Sequence, residues 1–155
     1  RFLLTTQALL ARCEAIEAAL GPAQSLRLHG DCHAGNVLWA MDGPHFVDFD
    51  DSRTGPAIQD LWMLLSGDAS EVRQQFDAIL EGYEEFREFD WRERHRVEVL
   101  RSLRLVHYSG WLCARWTDPA FPLAFPWFAH ARYWEEQCQT LGEQLAKLEA
   151  VAEQL

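Results

Sequence analysis

Two short stretches of the 155-residue chain concentrate side chains able to hold a cation and move a proton. The first is His29-Gly30-Asp31-Cys32-His33-Ala34-Gly35-Asn36; the second is Val47-Asp48-Phe49-Asp50-Asp51. An amide oxygen on Asn36 and a carboxylate on Asp48 suit a hard divalent cation such as Mg²⁺, which prefers oxygen ligands and keeps several waters. Zn²⁺ would call for a different set of His and Cys ligands. Asp31 supplies a further carboxylate, able to orient a substrate hydroxyl and accept its proton.

These stretches must be brought together by the elements around them. Val37–Ala40 and His45–Phe49 have strand character, and Asp42-Gly43 between them favours a two-residue hairpin turn. Such a turn sets Val37 opposite Asp48 and Asn36 opposite Phe49, so that Asn36 and Asp48 meet at the open end of the hairpin. Upstream, Leu9, Cys13, Ile16 and Leu20 recur at a helical period, predicting a helix over 2–20 that stops at Gly21-Pro22. Leu26–Leu28 is a short apolar stretch leading into the polar loop.

Downstream the pattern is helical. A short helix is expected over Ala57–Leu65, and Asp68-Ala-Ser-Glu71 reads as a capping box opening a helix that runs to about Phe89. Asp90, with Glu93 as its N3 partner, should start another that ends near Trp116. Three prolines place Asp118–Pro126 in an aromatic-rich loop, ahead of a last helix from about Trp127 to Gln154. The fold class is therefore α+β and mostly helical, with a small β-hairpin beside the polar loop, and the order of elements excludes a doubly wound nucleotide fold.

Composition narrows the function. Lys plus Arg number 14 against 24 Asp plus Glu, a net charge of −10, which disfavours nucleic acid as a partner. No apolar run approaches the roughly 20 residues of a bilayer-spanning helix, so no membrane partner is expected. Cys13, Cys32, Cys113 and Cys138 are widely spaced, without a C-x-x-C pair, and point to reduced thiols and a cytoplasmic location. All but one of the basic residues are arginine, the exception being Lys147.

The order His29-x-Asp31-x-x-x-x-Asn36, then Asp48-Phe49, has the spacing of a kinase catalytic loop followed by its metal-binding aspartate. With Gly30 after the first His, His33 within the loop and Pro56-x-x-x-Asp60-Leu61 beyond, the chain resembles the aminoglycoside phosphotransferase and choline kinase-like superfamily. That resemblance implies the C-terminal lobe of a protein-kinase-like fold spanning residues 1–155, with ATP as co-substrate and Mg²⁺ as cofactor. It also implies Asp31 as catalytic base, Asn36 and Asp48 as metal ligands, Asp48 thereby belonging to the catalytic set, and Asp60 as a support for the loop backbone. By the same resemblance the acceptor would be a hydroxyl, first of all a protein Ser/Thr, with a small-molecule alcohol (aminoglycoside, choline or homoserine-like) as the alternative and a non-catalytic pseudokinase as another.

The chain departs from ordinary protein kinases at Gly30, which replaces Arg, at His33, which replaces Lys, and at Asp50, which replaces the glycine after Asp-Phe. No G-x-G-x-x-G run exists, nor any Lys before Lys147, so the N-terminal nucleotide lobe is expected to be absent and these residues alone to be inactive. Plainer roles compete at single positions. His29 and His33 suit structural hydrogen bonding, Cys32 a small buried residue, and Asp51 a solvated or Arg53-paired turn; Asp50 is an equally balanced choice between a metal ligand and a turn residue. Trp111, Trp116, Trp127, Phe128, Tyr133 and Trp134 suit a core better than a cage for a quaternary ammonium. Asp31-x-His33 also matches the opening of a binuclear phosphoesterase motif, but the later parts of that motif are missing.

Overall fold

A helix whose apolar residues fall at i, i+4 and i+7 can bury only one stripe, and α1 (Phe2–Leu20) does so through Leu9, Cys13 and Ile16. Its partners come from much later in the chain: Val99 on α4 (Val97–Arg115), with Leu141 and Leu148 on α6 (Ala131–Ala152). The computed structural model describes residues 1–155 and divides into two compact units. One comprises Arg1–Gly21 and Glu98–Leu155; the other is Pro22–Val97.

The helical unit also holds α5 (Ala120–Ala124), which lies inside the stretch expected to be loop. Pro122 is its third residue, where the missing N–H would have no intrahelical acceptor in any case, so the first turn tolerates the ring. The prolines shorten the helix to five residues rather than abolish it. A 3₁₀ turn over Pro126–Ala129 follows, and α6 starts at Ala131, four residues later than its expected start at Trp127. The aromatics here pack on one another: Trp127 on Tyr133 with centroids 4.9 Å apart, Phe128 on Trp134 at 5.0 Å, and Trp116 on Phe128 at 4.9 Å. The Arg115 guanidinium lies 4.8 Å from the Trp111 centroid, so this ring faces a cation of the chain's own.

The unit over Pro22–Val97 contains both polar stretches. Strand β1 (Leu26–Leu28) pairs antiparallel with β4 (Arg53–Gly55), Leu28 opposite Arg53, so the chain segment between them is closed at its base. Strands β2 (Val37–Ala40) and β3 (Gly43–Phe46) form the hairpin, with Val37 opposite Phe46 and Ala40 opposite Gly43. The turn is therefore Met41-Asp42 rather than Asp42-Gly43, and the expected pairing of Val37 with Asp48 is wrong by two residues. Asp42 accepts a 2.9 Å hydrogen bond from the His45 ring, which ties the turn to β3. An even slip keeps every side chain on its expected face, so the alternation survives the error.

Beyond the sheets, α2 (Ile58–Leu61) continues as a 3₁₀ turn over Trp62–Leu64. The capping box at α3 (Ala69–Glu84) forms as its sequence predicts, the Asp68 side chain accepting from Ser70 and Glu71 amides and Glu71 accepting from the Asp68 amide. This helix stops five residues short of Phe89, which instead packs edge-on against Phe76, Tyr83 and Trp91. The second expected capping box does not form. Asp90 caps Arg92 and grips its guanidinium at 2.7 Å, and residues Trp91–Arg96 form a 3₁₀ turn while Glu93 is used elsewhere. No helix is long and apolar enough to cross a membrane.

Candidate active site

The loop from His29 to Asn36 makes almost no regular backbone pairing of its own, so its shape depends on groups that reach it from outside. Asp60, on α2, accepts from two consecutive amides, His29 N–H at 2.7 Å and Gly30 N–H at 2.9 Å. A carboxylate held this way fixes the plane of the peptide that leads into Asp31. From the other side, Arg53 on β4 and the Gln59 side chain donate to the Gly30 carbonyl at 3.3 and 3.4 Å.

Gly30 is obligatory here. Its φ is +92°, and a Cβ would run into the Asp51 carbonyl oxygen. That same carbonyl takes a 3.2 Å hydrogen bond from Arg53, so Arg53 serves the backbone of the turn, while the Asp51 residue is exposed.

His29 is a structural residue, as its chemistry suggested. It is buried, its ring lies 4.6 Å from that of Phe49, and Nε2 donates to the Val47 carbonyl at 2.8 Å. Val47 N–H in turn donates to the Asn36 carbonyl at 3.0 Å. The His29–Asn36 loop and the Asp48 turn are thus stitched to each other on both sides of Val47. Asn36 completes the closure by donating its amide Nδ2 to the Asp31 carbonyl at 3.0 Å.

The amide's donor end is spent on backbone, leaving its carbonyl oxygen as the end offered to a cation. Asp48 directly follows the residue paired with Asn36, is exposed, and takes a φ of +64°, the only non-glycine residue with positive φ. Aspartate tolerates that region better than most residues, and the conformation turns the chain sharply away from the hairpin at this point. No group of three His, Cys, Asp or Glu side chains gathers into a metal cage. One amide oxygen with one carboxylate would suit a cation that completes its shell with water and phosphate oxygens better than one needing an all-protein cage.

Asp31 is partly exposed, its side chain 23% accessible, and its Oδ2 lies 3.5 Å from His33 Nε2. The neighbouring Cys32 is buried, and burial, then the charges of Asp60 and Asp31, push its thiol up to about 11. A thiol in that state is not a nucleophile near neutral pH, consistent with a small packing residue.

Glu93 had no expected role in the site. Its buried carboxylate accepts from the Ile58 amide at 3.0 Å and so anchors the start of the helix that carries Asp60. Its sequence neighbours, Arg92, Arg94, His95 and Arg96, point to a solvated charged turn and give no sign of that backbone partner.

With the geometry in view, comparison with known proteins is informative. A family model described as the phosphotransferase enzyme family (APH) matches residues 2–98. The chain belongs to that family, and the mostly helical architecture with two-stranded sheets is compatible with part of a kinase-like fold. Among curated relatives, stress response kinase A of Escherichia coli O157:H7 is 60% identical over 124 residues, covering 80% of this chain and 38% of the relative. The serine/threonine protein kinase RdoA of Salmonella typhimurium strain LT2 is 60% identical over 120 residues, 77% of this chain and 36% of the relative. Stress response kinase A of Shigella flexneri is 58% identical over 124 residues. The chain therefore spans less than two fifths of the length of these relatives.

Two stability measurements test the supports. Gly30→Ala forces a Cβ into the Asp51 carbonyl and should cost at least about 2 kcal/mol in urea unfolding; an unchanged midpoint would mean the loop is not held as described. Burial raises the Glu93 carboxyl above its usual range, so the folded chain binds that proton more tightly than the unfolded one. The contribution of Glu93 to stability must then fall as pH climbs from the ordinary carboxyl range through the raised value. Glu93→Gln keeps an oxygen for the Ile58 amide, and its stability relative to the native chain should rise across that window; a flat difference would remove the buried-charge account.

Proposed function

We propose that this chain is the catalytic-loop lobe of a longer kinase that transfers a phosphoryl group from Mg²⁺-ATP to a protein serine or threonine hydroxyl. The observation that carries the reading is the closure through Val47 and Asn36, which brings the loop bearing Asp31 and the turn bearing Asp48 into one assembly. The Ser/Thr acceptor is supported by the printed description of a relative 60% identical over 120 residues as a serine/threonine protein kinase.

In this reading Asn36 and Asp48 hold Mg²⁺ through the amide oxygen and the carboxylate. The ion, when bound, would supply positive charge to the phosphate oxygens. Asp31 hydrogen-bonds the acceptor hydroxyl and takes its proton as the oxygen bonds to Pγ and the bond from Pγ to the β,γ-bridging oxygen breaks, releasing ADP. The work of the lobe is positioning: the Asp60 carboxylate, the Arg53 guanidinium and the Gly30 turn set where Asp31 stands, and a base misplaced by about 1 Å can cost roughly 100-fold. A nucleotide lobe outside these residues supplies the remaining phosphate contacts, so the 155 residues alone transfer no phosphate.

Labelled ATP supplied to the full-length kinase with itself, a generic basic protein and a panel of amino alcohols separates the possible acceptors. Label on serine or threonine is expected; label confined to an amino alcohol would overturn the acceptor, and no label anywhere would overturn the activity. Asp31→Asn should lower turnover by about 10³-fold or more with ATP binding retained, whereas Asp48→Ala should also weaken Mg²⁺-dependent ATP binding. Full turnover in either variant would refute the role given to that residue.

A further inference from the structure

His33 lies beside Asp31 in a geometry that fixes the imidazole's proton. The Gly35 N–H donates to His33 Nδ1 at 3.0 Å, so Nδ1 must present its lone pair and the neutral ring must carry hydrogen on Nε2. Nε2 is the atom that faces the Asp31 carboxylate, 3.5 Å from Oδ2. The backbone holds the ring in that place twice over: His33 N–H donates to the Asp31 carbonyl at 2.9 Å, and the His33 carbonyl accepts from Asn36 N–H at 2.9 Å.

A separate observation concerns Gly35. Its φ is not positive, so no backbone conformation demands glycine there. What demands it is the imidazole: a Cβ at Gly35 would sit 2.7 Å from His33 Cε1 and 2.9 Å from Nδ1. The chain keeps position 35 empty of side chain so that the ring can fold back over it and point Nε2–H toward Asp31.

We propose that His33 is a positioning residue for phosphoryl transfer: its Nε2–H, set by the Gly35 amide at Nδ1, restrains the Asp31 carboxylate in the orientation that receives the acceptor hydroxyl's proton. The inference rests on the phosphotransfer reading of the site. At 3.5 Å the contact is loose, as catalytic hydrogen bonds often are before substrate binds, and it tightens when the acceptor hydroxyl draws Asp31 into line. The Arg53 guanidinium is committed to the Gly30 and Asp51 carbonyls.

Two substitutions separate positioning from simple capping of the Ala34–Asn36 turn. His33→Asn keeps an acceptor near the Nδ1 position and removes the donor at Nε2; His33→Gln offers an amide donor near Nε2 and removes the acceptor. In the full-length kinase, His33→Asn should lower kcat about 10–100-fold with KM for ATP unchanged, and His33→Gln should recover most of kcat. Gly35→Ala, which displaces the ring without altering any charge, should match His33→Asn. Full kcat in His33→Asn together with a loss in His33→Gln would reduce His33 to a cap and overturn the proposal. The tautomer is checked in the unmodified chain by imidazole ¹⁵N shifts: hydrogen on Nε2 supports the proposal and hydrogen on Nδ1 overturns it. An active unmodified kinase with an unaffected His33→Asn defeats this inference alone, whereas an inactive unmodified kinase defeats the reading beneath it.

Discussion

The Asp60 carboxylate accepting from two adjacent amides is the interaction on which the site depends. Loop 29–36 has no regular structure before its 3₁₀ turn at Ala34–Asn36, and the backbone N–H groups of the buried His29 and Gly30 must find acceptors. Asp60 satisfies two of them with one rigid, charged group, and in doing so selects the peptide orientation that delivers Asp31. The arrangement continues outward: Glu93 holds the amide of Ile58 at the start of the helix bearing Asp60, so a buried carboxylate supports the carboxylate that holds the Asp31 loop. Each link is an acidic oxygen meeting backbone N–H, and the chain's acidic balance is thus partly spent on architecture.

The components of the site were legible because chemistry restricts them. Two carboxylates and an amide at kinase-like spacings, followed by an Asp on the next short helix, leave few alternatives, and backbone and amide hydrogen bonds tie the loop bearing Asp31 and Asn36 to Val47, the residue before Asp48. The supports were less legible. Arg53 and Glu93 act on backbone carbonyls and amides far away in sequence, and nothing in their own neighbourhoods announces such partners. Strand β4 was invisible for a related reason: Arg-Thr-Gly has no apolar alternation, and its strand geometry is imposed by pairing with Leu26–Leu28.

The errors over the hairpin and the proline loop share an origin. Asp-Gly is a strong turn signal, yet the Asp42–His45 hydrogen bond moves the turn back by one residue at each end. Three prolines are a strong loop signal, yet a proline within the first turn of a helix removes a donor that would have been idle. In both cases a reliable local preference was correct about the residue and wrong about its place in the element, since that place is decided by a side chain or a cap.

The partnership of α1 with α6 carries a consequence for how the molecule comes into being. Leu9, Cys13 and Ile16 leave the ribosome well before Leu141 and Leu148, which cover them. In the interval between them α1 has its oily stripe unclothed, while residues 22–97 already own all their strand pairings. Nascent chains of this kind should draw on chaperones during translation, and maturation of this unit should be timed by arrival of α6.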